Sequence, residues 1–275
     1  MIATRRVEGD REDQRMGQLA GRNVFLTGAS KGIGREIARG LAKEGAAVAL
    51  VARTRSALEQ LASELEGLGG HGVAIPADVG DADQVRAAIR TAREALGEIH
   101  ILINCAGVLD NEGIAGHADE VWERHYRVNV DSYFFTIREI IGEMIERRWG
   151  RIVNVASTSG KVPIGPNRAA YVSSKHAVIG LTKEVALEAA PYGVTVNAVC
   201  PGFVLTEMVE ESMRKFARDF GKTPEETREA FVAKIPLGRF IEPQEVVPLI
   251  LFLLSDGAAA ITMQAINVDG GFSPI

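Results

Sequence analysis

The sequence predicts a single α/β domain built on a doubly wound parallel sheet that is flanked by helices. Short apolar runs rich in β-branched residues alternate along the chain with longer helical patterns. The runs are apolar on both faces, as parallel strands are when helices cover both sides of their sheet. No repeat or linker divides the 275 residues, a length that suits one large domain. Ligands of such a sheet bind beyond the carboxyl ends of its strands, so we expect the functional site there.

Each element has its own signal. A helical pattern over residues 33–44 follows the first strand, a capping-box pattern at 56–59 opens the next helix, and Asp81 with Gln84 caps a third. The predicted strands are residues 24–27, 48–52, 73–75, 99–104, 151–157, 194–199 and 265–268.

Two segments depart from this alternation. Residues 1–20 mix acids and bases without an apolar core and are predicted to form a flexible arm, leaving 21–275 as the main domain. Residues 204–238 are long and highly charged, and Thr223, Pro224 and Glu226 form a strong helix start. Two short helices there would form a lid over the active site, the alternative being a solvated surface excursion.

The bulk composition excludes several classes of function. A net charge of −5 provides no basic field for nucleic acid. The two cysteines lie far apart in apolar runs, which is typical of a reduced cytoplasmic protein. The five histidines have no ligand spacing, so we expect no metal site. The longest apolar stretch, 246–254, is too short to span a membrane, and the N-terminus lacks a targeting signal. A small molecule is therefore the expected partner.

A glycine-rich turn joins the first strand to the first helix. Glycines let the backbone approach a pyrophosphate, whose charge is met by the N–H groups at the helix start. The pattern is G-x-x-x-G-x-G, and its position favours a dinucleotide site over a plain tight turn. The turn residues predicted to bind the cofactor are Gly28, Ser30, Lys31, Gly32, Ile33 and Gly34.

The end of the second strand favours NADP(H) over NAD(H). An acidic residue there would bind the ribose hydroxyls and repel a 2′-phosphate, but the sequence has no acid at this point. Arg53 and Lys31 are instead cations that could pair with the phosphate. The alternative is that both are solvated surface charges.

Two further patterns point to acid–base chemistry. Tyr171 and Lys175 lie four residues apart in a helical pattern and so share one face. A nearby cation favours phenolate and would lower the pKa of the tyrosine from about 10. Ser157 stands at the end of a predicted strand, where its hydroxyl could donate to a carbonyl oxygen, and Ser159 is the alternative.

Over about residues 19–272 these motifs together resemble the short-chain dehydrogenase/reductase family, whose fold is Rossmann-type. The glycine motif runs from Thr27 to Gly34. An N-A-G motif follows the fourth strand, with one residue inserted or its alanine shifted. The other matching positions are Asn104, Ala106, Gly107, Asn129, Tyr171, Lys175, Pro201 and Gly202.

The resemblance implies a role for each of these residues. Tyr171 would be the acid/base, Lys175 would hold the nicotinamide ribose and tune Tyr171, and Ser157 would orient the carbonyl. Asn129 would hold a water that links Lys175 to solvent. Asp78 would face the adenine and Thr206 the nicotinamide amide, and the remaining cofactor-binding positions would be Val79 and Val204. The family also implies a homo-oligomer, either a dimer or a tetramer.

The substrate is less constrained than the reaction, which interconverts a ketone and a secondary alcohol. Residues 148–160 and 175–203 most resemble 3-oxoacyl reductases and polyketide ketoreductases. Arg147 and Arg148 could help to dock an acyl carrier protein, but the turn at 190–193 has no basic residue, which weakens that interpretation. The alternatives are an NAD(H)-dependent hydroxyacid or alcohol dehydrogenase and, more remotely, a cofactor-binding regulator without catalysis.

Overall fold

The computed structural model of the chain describes residues 17–273. Seven strands form one sheet in the order β3-β2-β1-β4-β5-β6-β7, and all their pairings are parallel. The strands are β1 (Asn23–Thr27), β2 (Ala47–Ala52), β3 (His71–Pro76), β4 (Ile101–Asn104), β5 (Gly150–Val155), β6 (Val194–Pro201) and β7 (Ala265–Val268). This confirms the predicted doubly wound sheet, whose order reverses between β1 and β4.

Helices cover both faces of the sheet. They are α1 (Gly32–Lys43), α2 (Arg55–Gly67), α3 (Ala82–Leu96), α4 (Asp119–Tyr126), α5 (Ser132–Arg147), α6 (Ala169–Ala189), α7 (Glu207–Phe220), α8 (Pro224–Val232) and α9 (Pro243–Leu254). One apolar layer packs α1, α2 and α9 on the sheet. The other packs α3, α5 and α6 on the opposite face. Strands covered on both sides lose contact with water, which explains their continuous apolar sequences.

The capping signals had mixed outcomes. The Asp81 carboxylate accepts from the backbone N–H groups of Asp83 and Gln84, which confirms the predicted start of α3. The capping box at 56–59 was wrong. Helix α2 begins one residue earlier, at Arg55, and the carbonyl of Thr54 already accepts from Leu58 N at 3.3 Å. Ser56 therefore lies inside the first turn, where its side chain cannot act as the N-cap.

Four residues of the predicted arm, 17–20, belong to the described part of the chain. Leu19 is buried in the core, and its N–H donates to the carbonyl of Glu44 at 3.0 Å. Residues 17–20 therefore pack against the domain, and residues 1–16 of the predicted arm lie outside the described residues.

The segment 204–238, called the helical excursion below, contains α7 and α8. The predicted start of α8 is confirmed, because Thr223 and Glu226 form a reciprocal capping box with Pro224 at the first helical position. The excursion and the residues that flank it form a small apolar cluster. Its buried members are Phe203, Phe231, Ile235 and Phe240. The excursion is thus a packed layer above the ends of the strands rather than a solvated loop.

Candidate active site

The glycine-rich turn brings three backbone segments into contact. Gly28 has a φ of 70°, and a Cβ there would lie 2.7 Å from the backbone N of Ala106. A Cβ on Gly34 would lie 2.1 Å from the carbonyl oxygen of Gly28. Lys31 makes no side-chain cap and the first turn of α1 has no acid, so neither competes with an anion at this helix start. The turn therefore fits a pyrophosphate, as predicted for a dinucleotide site.

The hydroxyl of Thr27 ties the end of β1 to the end of β4. Its Oγ1 accepts from the backbone N–H groups of Cys105 and Ala106 at 3.1 and 3.3 Å. Asn104 is fully buried; its amide donates to Asn154 Oδ1 at 3.0 Å and accepts from Thr136 at 2.7 Å. The side chain of Asn104 thus supports the strand ends, and only its backbone remains available for the predicted cofactor contact.

The two predicted phosphate-binding cations differ in their surroundings. Arg53 is exposed just beyond β2, and within residues 17–273 no carboxylate pairs with it. The ammonium of Lys31 instead forms a 3.0 Å ion pair with Glu207 at the start of α7. Arg53 is therefore the better candidate for a 2′-phosphate, while Lys31 links the glycine turn to the helical excursion.

The remaining predicted cofactor positions surround the same edge of the sheet. Thr206 lies over the glycine turn, since a Cβ on Gly32 would approach its methyl group to 3.3 Å, and its hydroxyl caps α7. Asp78 follows β3, and its carboxylate accepts from Gly80 N at 2.9 Å. Val79 is buried beside it. Pro201 ends β6, and Gly202 and Val204 lead from that strand into the helical excursion.

Tyr171 and Ser157 meet as predicted. Tyr171 lies in the first turn of α6, and its phenol is hydrogen-bonded to the Ser157 hydroxyl. Burial raises the pKa of Tyr171, while the Ser157 hydrogen bond and the charge of Arg168 act in the opposite direction. The predicted lowering of this pKa by Lys175 is therefore not what the structure shows, because desolvation outweighs the favourable contacts. A neutral phenol is a proton donor, which suits reduction of a ketone.

Ser159 does not share this position. Its hydroxyl is buried and has no hydrogen-bond partner among the described residues, while its N–H donates to Ser157 Oγ at 3.1 Å. Ser159 thus orients Ser157 through its backbone, and the geometry favours Ser157 as the residue beside the reacting carbonyl.

Lys175 lies one helical turn beyond Tyr171 and is buried. Its ammonium donates to the carbonyl oxygen of Val155 at 2.9 Å and lies 5.5 Å from the centre of the Tyr133 ring. Burial lowers the pKa of Lys175 to about 8. The Val155 carbonyl and the Tyr133 ring are the main groups that compensate the charge of the ammonium. The ammonium can therefore also bind a hydroxyl of a ligand that enters the cleft.

Asn129 sits in a π-helical turn (Arg127–Asp131) between α4 and α5. Such turns are rare and recur at functional sites. Its amide accepts from Val108 N at 2.8 Å and donates to Val108 O and Ser174 Oγ, both at 3.0 Å. A Cβ on Gly107 would lie 3.4 Å from Asn129 Oδ1 and 3.6 Å from Lys175 Nζ. The absence of a side chain at Gly107 thus preserves the space between these two groups, where the predicted water would bind.

We call Asn129, Ser157, Tyr171 and Lys175, with the backbone that holds them, the catalytic floor. Sequence reasoning missed two of its neighbours. The ring of His125 meets Tyr171 edge-on at 6.5 Å between centroids, and its Nε2 accepts from Asp110 N at 3.2 Å. The guanidinium of Arg168 acts on Tyr171 through its charge. The only signal in the sequence was the spacing of Arg168, three residues before Tyr171.

Residues 17–273 contain no cluster of three or more His, Cys, Asp or Glu side chains arranged to hold a metal ion. Over the same residues, none of the helices combines the length and apolar character that a bilayer span requires.

Comparison with known proteins agrees with this geometry. Residues 22–216 match the short chain dehydrogenase family. The chain is 42% identical over 250 residues to a Streptomyces violaceoruber protein whose name assigns it to the granaticin polyketide synthase as ketoacyl reductase 1, covering 90% of this chain and 92% of the relative. It is 39% identical over 255 residues to the D-beta-hydroxybutyrate dehydrogenase of Rhizobium meliloti, covering 92% of this chain and 98% of the relative.

A solved structure extends the likeness to the whole fold. A crystal structure of an actinorhodin polyketide ketoreductase variant with NADPH superposes with a TM-score of 0.90 at 37% identity, covering 94% of this chain and 100% of that chain. The matched motifs, the strand order and the catalytic floor lead to one conclusion: the chain belongs to the short-chain dehydrogenase/reductase family of oxidoreductases.

Proposed function

We propose that the protein is an NADP(H)-dependent reductase that converts a ketone, such as a 3-oxoacyl compound, into a secondary alcohol. The observation that carries the proposal is the hydrogen bond between Ser157 and the phenol of Tyr171, whose ring centre lies 5.9 Å from the buried ammonium of Lys175. A bound nicotinamide cofactor supplies the hydride in one direction and accepts it in the other.

The residues of the catalytic floor divide the rest of the chemistry. Ser157 and Tyr171 donate hydrogen bonds to the substrate oxygen and stabilise the negative charge that develops there. Tyr171 then transfers its phenolic proton to that oxygen. Lys175 stabilises the phenolate left behind, and Asn129 with Gly107 keeps space for the water that returns a proton.

The preference for NADP(H) rests on charge. Beyond β2 the exposed Arg53 replaces the acid that would repel a 2′-phosphate. The related ketoreductase structure was solved with NADPH, which supports the same cofactor here. The related hydroxybutyrate dehydrogenase keeps an NAD(H)-linked oxidation as the alternative. A regulator without catalysis is disfavoured because Tyr171, Ser157 and Lys175 are assembled.

A carrier-bound substrate receives less support than a free one. Arg147 is turned toward the protein, where it pairs with Glu98 at 2.9 Å and donates to the carbonyls of Ile99 and Trp149. Arg148 donates to the carbonyl of Pro191. Arg147 thus ties the end of α5 to the segments that lead into β4 and β5, and Arg148 contacts the turn after α6. Because both arginines are engaged in this way, a small carbonyl compound is the simpler substrate.

A homo-oligomer and a cytoplasmic location belong to the same proposal. Phe134 on α5 and Leu187 on α6 are 45% and 60% exposed, and apolar side chains on these two long helices suit contact with a second copy. Sedimentation of the purified chain tests the first expectation, with a monomer at micromolar concentration as the contrary result.

The test of the activity is nicotinamide oxidation against a panel of 3-oxoacyl thioesters, free oxo acids, and cyclic and aryl ketones, with NADPH and NADH in parallel. Turnover with NADPH that is lost in Tyr171→Phe is the expected result. Cofactor binding without turnover on any ketone, and without oxidation of the matching alcohols, would revive the regulatory alternative.

A further inference from the structure

A cation lies in the wall of the cleft beside Tyr171 without an acidic partner. Arg168 directly precedes α6 and is partly buried there. Its Nε donates to Asn111 Oδ1 at 2.9 Å and its Nη2 to Ser212 Oγ at 3.3 Å. Both acceptors are neutral, and no carboxylate within residues 17–273 forms an ion pair with the guanidinium.

A bound anion would offset the free-energy cost of burying the Arg168 charge. Burial lowers the pKa of Arg168, which shows that the surroundings disfavour its charge. A guanidinium offers five N–H donors in a planar fork, and the two neutral contacts leave the rest of the fork available. Buried charges are normally paired, because an uncompensated one costs free energy. A carboxylate fits the fork in a bidentate manner and would compensate it.

The residues that line the cavity around Arg168 indicate the chemistry of its ligand. It is lined by the aromatic rings of Phe203, Phe216 and Phe231, and by two exposed groups of opposite charge, Lys234 and Asp219. The cavity is small, so it suits a group the size of a carboxylate next to the guanidinium, with the apolar rings beside the adjoining carbon atoms. Arg168 precedes Tyr171 by three residues, and its charge acts on the Tyr171 phenol. An anion paired with the guanidinium would therefore lie near the carbonyl that Tyr171 would meet.

We propose that the substrate is a free oxo acid, whose carboxylate pairs with Arg168 while its ketone oxygen meets Ser157 and Tyr171. This inference rests on the proposed function and specifies its substrate class. Arg168 is then a residue that determines specificity, and Asn111 and Ser212 position its guanidinium. Asn111 is itself held from the helical excursion, since its carbonyl accepts from Lys215 and its amide donates to Ser212.

The kinetic test compares two ketones that differ only in charge, benzoylacetate and its methyl ester, with NADPH as the reductant. The wild-type protein should have the higher kcat/KM on the acid. Arg168→Gln should lower kcat/KM on the acid by about 10- to 100-fold, the range for losing a charged hydrogen bond. It should lower kcat/KM on the ester by a clearly smaller factor, because there only the effect of the Arg168 charge on the Tyr171 phenol is lost. Arg168→Lys, which keeps the charge without the fork, should fall between them. The matched control is Arg218→Gln, an exposed arginine on α7 outside the cavity lining, which should leave both rates unchanged.

Equal losses on acid and ester would overturn the proposal and make Arg168 a purely structural tie. A coenzyme A thioester that loses rate in Arg168→Gln while the free acid does not would also overturn it, because the cation would then bind a phosphate of the carrier group.

A binding experiment without turnover distinguishes failure of this inference from failure of the proposed function. The complex with NADPH is titrated calorimetrically with phenylacetate and with phenylacetamide, neither of which can be reduced. Tighter binding of the acid that disappears in Arg168→Gln supports the anion site even if no ketone in the panel is turned over. Equal binding of the acid and the amide overturns the anion site even if neutral ketones are reduced.

Discussion

The catalytic floor and the helical excursion are built in different ways. Asn129, Ser157 and Lys175 in the floor are 0%, 7% and 4% exposed, and their polar atoms bond to fixed groups on several elements. The excursion carries most of its charges in water and packs through the aromatic cluster around Phe203 and Phe231. The floor is rigid and polar, while the excursion is apolar on its inner side and charged outside.

This difference separates reaction from recognition. Acid–base chemistry needs low dielectric and fixed distances, which buried hydrogen bonds to backbone groups supply. Recognition needs a surface that can change without disturbing those distances, and an aromatic cluster tolerates such change better than a polar network does. Substitutions in the floor should therefore alter the rate for every substrate, and substitutions in the excursion should alter selectivity or local stability.

The largest effect is expected for Lys175→Met. Turnover should fall by about 10²- to 10⁴-fold for all ketones, the range for lost acid–base assistance. The free energy of unfolding should rise, because methionine removes a buried charge. The carbonyl oxygen of Val155 keeps a donor, since it still accepts from the Tyr133 hydroxyl at 2.9 Å.

The pH dependence of that variant has a definite sign. Burial lowers the pKa of Lys175 from 10.5 to about 8, so between these values the unfolded chain binds more protons and the wild-type protein gains stability as the pH rises. The higher Tm expected for Lys175→Met below about pH 8 should therefore shrink toward pH 10.5, measured by circular dichroism. A constant difference in Tm would show that the ammonium is not destabilised by burial.

The two serines sharpen the assignment within the floor. Ser157→Ala should lower kcat by about 10²- to 10³-fold, as for loss of one donor to a developing oxyanion. Ser159→Ala is the matched control and should change kcat by less than about threefold, because its hydroxyl has no partner among the described residues. Steady-state kinetics with one ketone measures kcat for both variants. A larger loss of kcat in Ser159→Ala than in Ser157→Ala would assign the catalytic role to Ser159.

Arg53 tests the cofactor end of the cleft, away from both regions. Arg53→Ala should raise KM for NADPH by about 10- to 100-fold and change KM for NADH by less than about threefold, because only NADPH has a phosphate to lose a charged hydrogen bond. Arg55→Ala is the control, since that exposed arginine lies 3.6 Å from Glu59 in an ion pair. Equal effects on the two cofactors would refute the NADP(H) assignment.

The smallest effect is expected in the excursion. Thr223→Ala removes the capping box of α8 and should cost about 1 kcal/mol of local stability, seen as faster amide exchange in α8 with kcat on a neutral ketone nearly unchanged. Ser56→Ala is the control, because Ser56 lies in a helix whose start has no side-chain cap. A large fall in kcat for Thr223→Ala would show that the excursion and the floor are not separable.

The sequence by itself determined the parallel sheet, the glycine-rich turn, the start of α8, and the placement of Tyr171 and Lys175 on one face of α6. Each of these depends on local periodicity or on residues a few positions apart, and such patterns can be recognised from the sequence alone. The strand signals were strong because residues buried on both faces must be apolar.

The tertiary structure alone decided the contacts between distant segments. Only the fold shows that Asn104 supports β5, that Lys31 pairs with Glu207, and that Ser157 rather than Ser159 reaches Tyr171. It also revealed that burial raises the pKa of Tyr171, although the sequence spacing suggested the reverse. Arg168 could not be singled out beforehand, because the absence of an acidic partner depends on what Asn111 and Ser212, 57 and 44 residues away, bring to it. Desolvation and charge pairing are set by all neighbours in space, and one-dimensional spacing contains only the few that are close in sequence.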